Sequence, residues 1–407
     1  MLIDFDQAID RSRSNPAKWQ FPEFAVSADG TDPRILPMAV GDMDFRCPPA
    51  VIDALSEVVK QGTFGYVAGP SRGYLQAVTR WQLKRFGWVI SDHWIVVTQG
   101  AVMGLKVAID ALSKPGDTLA VPTPVYGRLF SEDVTHGRTV LTVPLRLRGG
   151  TYQFDADRLE SVIRLGVRVL LLCNPHNPTG SVWSRDDLMA IGEICERHGT
   201  WIVSDELHQD LVTNPLVRHT PLASLRPHIA ARTITITSAS KTFNLSGLQC
   251  ANVIISDQRL RGLYVEALRL RSSSAINLLG LVATEAAYND GETWVDALVE
   301  YLHANQIQFR SALCRHCPSA VTVCDADALY FAWLDARQLG MRTAALQQTI
   351  ANRAGVWAER GDRFGAEGEG FLRVNLACPR TVVLEAARRV GAVLNSLAPK
   401  TRAASAR

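Results

Sequence analysis

A succession of apolar runs, each followed by residues with helical spacing, limits what this chain can fold into. The runs lie at 94–98, 118–121, 167–173, 200–204 and 233–237, with helical patterns at 51–60, at 73–86 before Gly87, and at 101–112. A strand that is apolar on both faces must be covered on both, the condition met by a parallel sheet flanked by helices. The pattern therefore predicts an α/β fold with a mainly parallel sheet. Residues 256–312 read as long helices, and strand patterns at 328–334 and 371–376 mark a smaller α+β domain. The expected organisation is a proline-rich N-terminal arm over 1–48, a large domain over 49–289, a small domain over 290–398 and a disordered tail over 399–407. Ligands of such sheets are met at the carboxyl ends of the strands.

Several of those strand ends carry chemistry. The run ending at Thr237 leads into Ser238-Ala239-Ser240-Lys241-Thr242, a lone lysine among hydroxyls. Loss of hydration favours the neutral amine, which attacks an aldehyde and holds it as a Schiff base. The run ending at Cys173 leads into Asn174-Pro175-His176-Asn177-Pro178-Thr179-Gly180. Its Asn-Pro steps make a stiff loop that can present the Asn177 amide to a ligand. The run ending at Ser204 delivers the acidic pair Asp205-Glu206, then Leu207-His208. Each signal has an ordinary alternative: a surface lysine, a strand-to-helix turn, a helix N-cap. Their order at the ends of successive strands makes the set specific. Another turn, Thr98-Gln99-Gly100-Ala101-Val102, also joins a strand to a helix. Gly100 permits close backbone approach, and the amides of Gly100, Ala101 and Val102 can face an anion; a plain turn is the alternative.

Composition excludes several classes. The 407 residues are 47% hydrophobic and 20% charged, ordinary for a globular enzyme with a large core. The 43 basic and 40 acidic residues give +3, too little to argue for nucleic acid or an anionic membrane. No apolar run approaches the ~20 residues of a membrane helix. The start at Met1 lacks the order of a signal peptide, so the expected location is cytoplasmic. The eight cysteines lack framework spacing and are expected to be reduced. Cys314 and Cys317 have no second pair nearby, so no metal site is expected.

With these motifs the chain resembles, over nearly its whole length, the fold-type I pyridoxal 5′-phosphate (PLP) enzymes of the aspartate-aminotransferase superfamily. Within it, the chain resembles the cystathionine β-lyase-like C–S lyase branch, on the stretches 37–45, 64–66, 204–208 and 371–380. The resemblance implies a seven-stranded sheet in the large domain and PLP as cofactor. Lys241 is then the cofactor lysine and general base, counted with Tyr126 as catalytic. Asp205 pairs with the protonated ring nitrogen, Asn177 hydrogen-bonds the phenolic oxygen, Tyr126 stacks on the ring, and His208 supports it. Gly100, Ala101, Val102, Ser238 and Ser240 hold the phosphate. Tyr66 reaches the phosphate of a neighbouring subunit, which implies a homodimer with shared sites. Arg373 grips the substrate α-carboxylate in a two-pronged manner. For Tyr66, Tyr126 and His208 ordinary packing or exposure is the alternative, and for Arg373 a structural ion pair.

The reaction so implied releases thiol, pyruvate and ammonia from a cysteine S-conjugate. The chain departs from the family pattern at Ala39, where Trp is usual, and at Gly127-Arg128, where a proline-rich step is usual. Loss of an aromatic wall suggests a bulky S-conjugate in specialised metabolism rather than cystathionine. An aminotransferase, or decarboxylation-coupled oxidative deamination of an S-conjugated cysteine, stays open as an alternative. So does a PLP-binding regulatory interaction protein.

Overall fold

The computed structural model describes residues 3–9, 11, 17–19, 35–271, 276–317 and 321–398. The tail expected over 399–407, and residues 20–34 of the expected arm, lie outside them. The chain divides into two compact units, one of residues 1–3, 46–300 and 326–329, the other of 4–45, 301–325 and 330–407.

The first unit is built on a seven-stranded sheet. Its order is Ile95–Thr98, Ala251–Ile254, Thr233–Thr237, Trp201–Asp205, Val167–Cys173, Thr118–Thr123 and Thr139–Pro144. Ala251–Ile254 runs antiparallel to both its neighbours, and the other adjacent pairs of this sheet are parallel. The sequence pattern omitted Thr139–Pro144 and Ala251–Ile254. The first is an edge strand with much of its length exposed, so it has no continuous apolar run. The second is short and carries Asn252 in its middle. Thr233–Thr237 is buried along its whole length. Its alternating Thr and Ile are β-branched, which suits a pleated surface covered on both faces. Burying Ile234 and Ile236 contributes about 1.5–3 kcal/mol each.

Helices cover that sheet. In Ala101–Leu112, Leu105, Ile109 and Leu112 share a cluster with Val121, Leu171, Val203 and Val253. Gly104 lets this helix lie close, since a Cβ there would meet Val253 Cγ2 at 3.2 Å and Thr98 Oγ1 at 3.3 Å. Helix Arg72–Phe86 starts where the Ser71 side chain accepts from Tyr74 N and stops at Gly87, in the left-handed region. The long helices expected over 256–312 are Gln258–Leu270, Leu278–Asp290 and Glu292–His316. Among the described residues no helix is long and apolar enough to cross a membrane.

The second unit holds a five-stranded sheet in the order Leu36–Met38, Val356–Arg360, Phe371–Asn375, Phe331–Asp335 and Thr322–Val323. Leu36–Met38 lies in the expected arm, yet it pairs parallel with Val356–Arg360. The strand expected over 328–334 begins later, at Phe331, after the left-handed Leu329 (φ 72°). Helices Thr343–Ala354 and Arg380–Leu397 cover the sheet, packing Leu346, Ile350, Val383 and Val390 with Leu334, Leu372 and Val374.

Candidate active site

Three adjacent parallel strands of the first unit set the reactive residues side by side. Cys173 is in register with Asp205, and Asp205 with Ile236. The chain therefore leaves this edge of the sheet toward Asn177, at Asp205 itself, and toward Lys241. Lys241 sits half-buried in the short helix Ala239–Thr242. Burial pushes the Asp205 carboxyl up to about 6; a hydrogen bond from Leu207 N (3.2 Å) lowers it, adjacent Glu206 raises it, and the Lys241 charge lowers it. Asp205 and Lys241 thus feel each other electrostatically.

The acidic pair divides. Fully buried Glu206 accepts from Ser204 Oγ (2.7 Å) and Leu222 N (3.1 Å), and meets His219 Nε2 at 3.0 Å. It is a core carboxylate, whereas Asp205 is the acid whose charge is coupled to Lys241. His208 is buried in the turn that follows, its carbonyl accepting from Leu211 N at 2.9 Å.

The loop bearing Asn177 is tied to the loop bearing Tyr126. Tyr126 N donates to Asn177 O (2.9 Å), and His176 Nε2 contacts Pro124 O at 2.8 Å. Burial drives the His176 pKa down to about 4, against the pull of the Pro124 and Cys173 carbonyls. The imidazole is therefore neutral near pH 7 and donates Nε2–H to Pro124 O. Asn177 is buried, while Tyr126 keeps 38% of its surface exposed, leaving area for a ring to cover.

At the next strand end, Gly100 adopts φ 79° and ψ 166° ahead of helix Ala101–Leu112, whose start receives no side-chain cap. Its first amides are thus available to an anion, in the field of the helix. Ser238 is buried; its hydroxyl donates to Cys250 O (2.6 Å) and accepts from Ser240 N (3.0 Å). Its proton is thereby directed into the fold, and Ser240 is the half-buried hydroxyl of the pair. Tyr66 is fully exposed in the loop after helix Pro49–Gln61.

These features fit PLP. The uncapped helix start suits a phosphate, the half-buried Asp205 carboxylate suits a protonated ring nitrogen, and the lysine lies within electrostatic reach of that carboxylate.

In the second unit, Arg373 occupies the central strand, 5% exposed. Its guanidinium carbon stands 4.0 Å from the Phe331 ring centroid and 4.8 Å from that of Phe364. Nη2 donates to Ala39 O at 2.9 Å. Two rings and a carbonyl fix the plane of this cation, as a two-pronged carboxylate grip requires. Ala39 itself is buried. Its segment is held by Asn375 Nδ2 on Val40 O (2.6 Å) and Asp42 O (2.7 Å), and by the Tyr330 hydroxyl on Gly41 O (3.0 Å).

Sequence reasoning passed over Asp210, Thr242, Asn375 and Tyr330. Asn375 and Tyr330 looked like members of apolar strands. Asp210 had one available signal, an acidic side chain directly before the apolar pair Leu211 and Val212.

Residues 33–390 match the model of the family described as aminotransferase class I and II. The chain is 36% identical to cystathionine beta-lyase PatB of Bacillus subtilis over 395 residues, covering 97% of this chain and 100% of that one. The structure superposes on cystalysin from Treponema denticola, which contains a pyridoxal 5′-phosphate cofactor, with a TM-score of 0.91 and 31% identity over 98% of this chain and 100% of that one. It superposes on a PLP-bound putative aminotransferase from Clostridium difficile 630 with a TM-score of 0.90 and 33% identity, over 97% and 100% of the two chains. Sequence and fold agree over at least 97% of the chain, and the chain belongs to the aminotransferase class I and II family, in its PLP-dependent cystathionine β-lyase and C–S lyase branch.

Proposed function

We propose that this enzyme cleaves the Cβ–S bond of a cysteine S-conjugate, releasing a thiol, pyruvate and ammonia with consumption of one water. The observation that carries the proposal is the placement of Lys241, Asp205 and Asn177 at the carboxyl ends of three adjacent parallel strands. Bound PLP supplies an electron sink for the charge that develops at the substrate α-carbon. Lys241 Nζ would hold the cofactor and, as a neutral amine, would take the substrate α-proton. Asp205 keeps the ring nitrogen charged, and Asn177 fixes the ring's phenolic oxygen. Tyr126 covers one face, with His208 behind it. The amides of Ala101 and Val102, with the Ser240 hydroxyl, receive the phosphate; Gly100 serves by its backbone shape, its own N–H being donated to Thr98 O at 2.8 Å, and Ser238 orients the Ser240 amide. Arg373 holds the substrate carboxylate. Tyr66 of a second copy completes the phosphate site, so the active unit is a homodimer.

The favoured substrate carries a bulky S-substituent. Support comes from the small side chain at Ala39, whose carbonyl contacts the proposed carboxylate-binding guanidinium. The test is a panel of S-substituted cysteines and cystathionine, with thiol and pyruvate measured together. Pyruvate without an added keto acid supports β-elimination. A strict keto-acid requirement refutes it in favour of transamination, and equal turnover of cystathionine and large conjugates refutes the bulky-substrate assignment. Lys241→Ala should abolish both turnover and the visible absorbance of lysine-bound cofactor; persistence of that absorbance refutes the lysine assignment.

A further inference from the structure

The short helix that carries Lys241 is pinned at both ends. At its start, Ser238 bonds Cys250 O and caps Ser240 N. At its end, Thr242 Oγ1 donates to Asp210 Oδ2 at 3.0 Å. The other oxygen, Asp210 Oδ1, accepts from Trp81 Nε1 at 3.0 Å and lies 3.8 Å from Arg85 Nε. The Asp210 side chain has no solvent exposure. An isolated ion so placed would cost several kcal/mol, and here two donors and a nearby guanidinium offset that cost. The next residue, Phe243, is fully buried, with ring centroids of Trp81, Tyr288 and Trp294 at 5.7, 6.1 and 5.9 Å. The carboxylate and the aromatic packing therefore converge on the residues directly after the lysine. None of them is required by the chemistry assigned to Lys241, Asp205 or Asn177.

We propose that Asp210 is a positioning residue: through Thr242 it fixes the turn that presents Lys241 Nζ to the cofactor. The inference rests on the assignment of Lys241 as the cofactor lysine. A carboxylate suits this place because it accepts from opposite sides at once, whereas an amide presents donors at one of its ends. Asp210→Asn can keep Trp81 on its amide oxygen but meets Thr242 only by reversing that bond, its Nδ2 donating to the Thr242 hydroxyl in place of a charge-assisted acceptor. Thr242→Val removes only the bond on the lysine side and keeps the side-chain shape. Trp81→Phe removes only the bond on the far side.

The test compares these holoenzymes with the wild type and with Thr242→Ser. The measurements are kcat, KM, thermal stability, and the rate at which added PLP develops visible absorbance on the cofactor-stripped proteins. Thr242→Val is expected to lower kcat and the attachment rate by about tenfold, as for one lost hydrogen bond to a charged group, with KM within about twofold. Thr242→Ser restores both rates. Trp81→Phe lowers thermal stability and leaves the attachment rate near that of the wild type. Wild-type kcat and attachment rate in Thr242→Val overturn the proposal, and so does failure of Thr242→Ser to restore them. Should Asp210→Asn not fold, the Thr242 pair decides alone. Borohydride reduction followed by peptide mass separates the two layers. Cofactor on a residue other than Lys241 in the wild type defeats the lysine assignment. Cofactor on Lys241 throughout, with unchanged rates, defeats only the role of Asp210.

Discussion

Replacing Gly100 by Ala perturbs the proposed phosphate cradle without touching a polar group. The backbone there, φ 79° and ψ 166°, lies in a region that is essentially restricted to glycine. Holding an alanine in it costs about 1–3 kcal/mol. The added Cβ would also come within 2.8 Å of Gln249 Oε1. That atom is the far end of an exposed, flexible side chain, so it can withdraw at little cost. The backbone strain dominates, at about 2 kcal/mol, and it has two outlets. If the peptide keeps its course, the strain appears as lower stability, about 2–4 °C in melting temperature per kcal/mol for a unit of this size. If the peptide rotates to relieve itself, the Ala101 and Val102 amides proposed to receive the phosphate turn away and the strain appears as weaker PLP binding, up to about 30-fold. Thermal melts of the cofactor-free protein and PLP titrations of the same samples measure both outlets. A drop of about 4–8 °C, a 30-fold weaker cofactor, or a mixture is expected. Gln249→Ala in the Gly100→Ala background should not restore either property. Recovery by Gln249→Ala would show that side-chain collision, not backbone conformation, sets the cost. Wild-type melting and wild-type PLP affinity in Gly100→Ala would refute the reasoning entirely.

Arg373→Lys keeps the charge but loses the planar fork between Phe331 and Phe364; kcat/KM should fall roughly 10- to 150-fold, the worth of one charge-assisted hydrogen bond, while PLP absorbance stays unchanged. Asp205, with its pKa raised to about 6 in the cofactor-free fold, holds a proton that the unfolded chain releases near 3.8. Its stabilising contribution is complete below the unfolded value and disappears as pH rises through about 6. Urea titrations of cofactor-free protein should therefore show the wild type losing up to about 3 kcal/mol relative to Asp205→Asn between pH 4 and pH 7; a pH-independent difference contradicts the assignment. If Tyr66 serves the site of a second copy, mixing inactive Lys241→Ala with Tyr66→Ala and allowing subunit exchange should recover activity that neither has alone. Native mass spectrometry of the mixture, which resolves the hybrid from both parent dimers by mass, checks that hybrids form; full exchange without recovered activity refutes the shared site.

Much of the fold was legible because burial on both faces of a parallel sheet leaves a mark on the sequence. Val167–Cys173 and Thr233–Thr237 are near-continuous apolar or β-branched runs, and both were found with their boundaries. Thr139–Pro144 was not, because an edge strand with much of its length exposed has no such run. Leu36–Met38 was missed for another reason: three residues beside prolines carry too little pattern, and their strand character comes from pairing with Val356–Arg360, distant in sequence. The site divides along the same line. Lys241, Asn177 and Asp205 announce themselves because each follows a readable strand, and strand ends are where such sheets meet ligands. Neighbouring acids were harder to tell apart. Asp205 and Glu206 are adjacent in sequence, yet one is coupled electrostatically to Lys241 and the other packs into the core beside His219. Successive side chains at a strand end point to opposite faces, so a pair of acids cannot share a role there. Asp210 shows what local pattern cannot carry at all. Its two partners, Trp81 and Thr242, lie on opposite sides of it in the chain and meet only in the folded unit. A carboxylate that serves through contacts distant in sequence looks, one residue at a time, like any other acid. The lysine was legible because its chemistry is its own; what presents it belongs to tertiary structure.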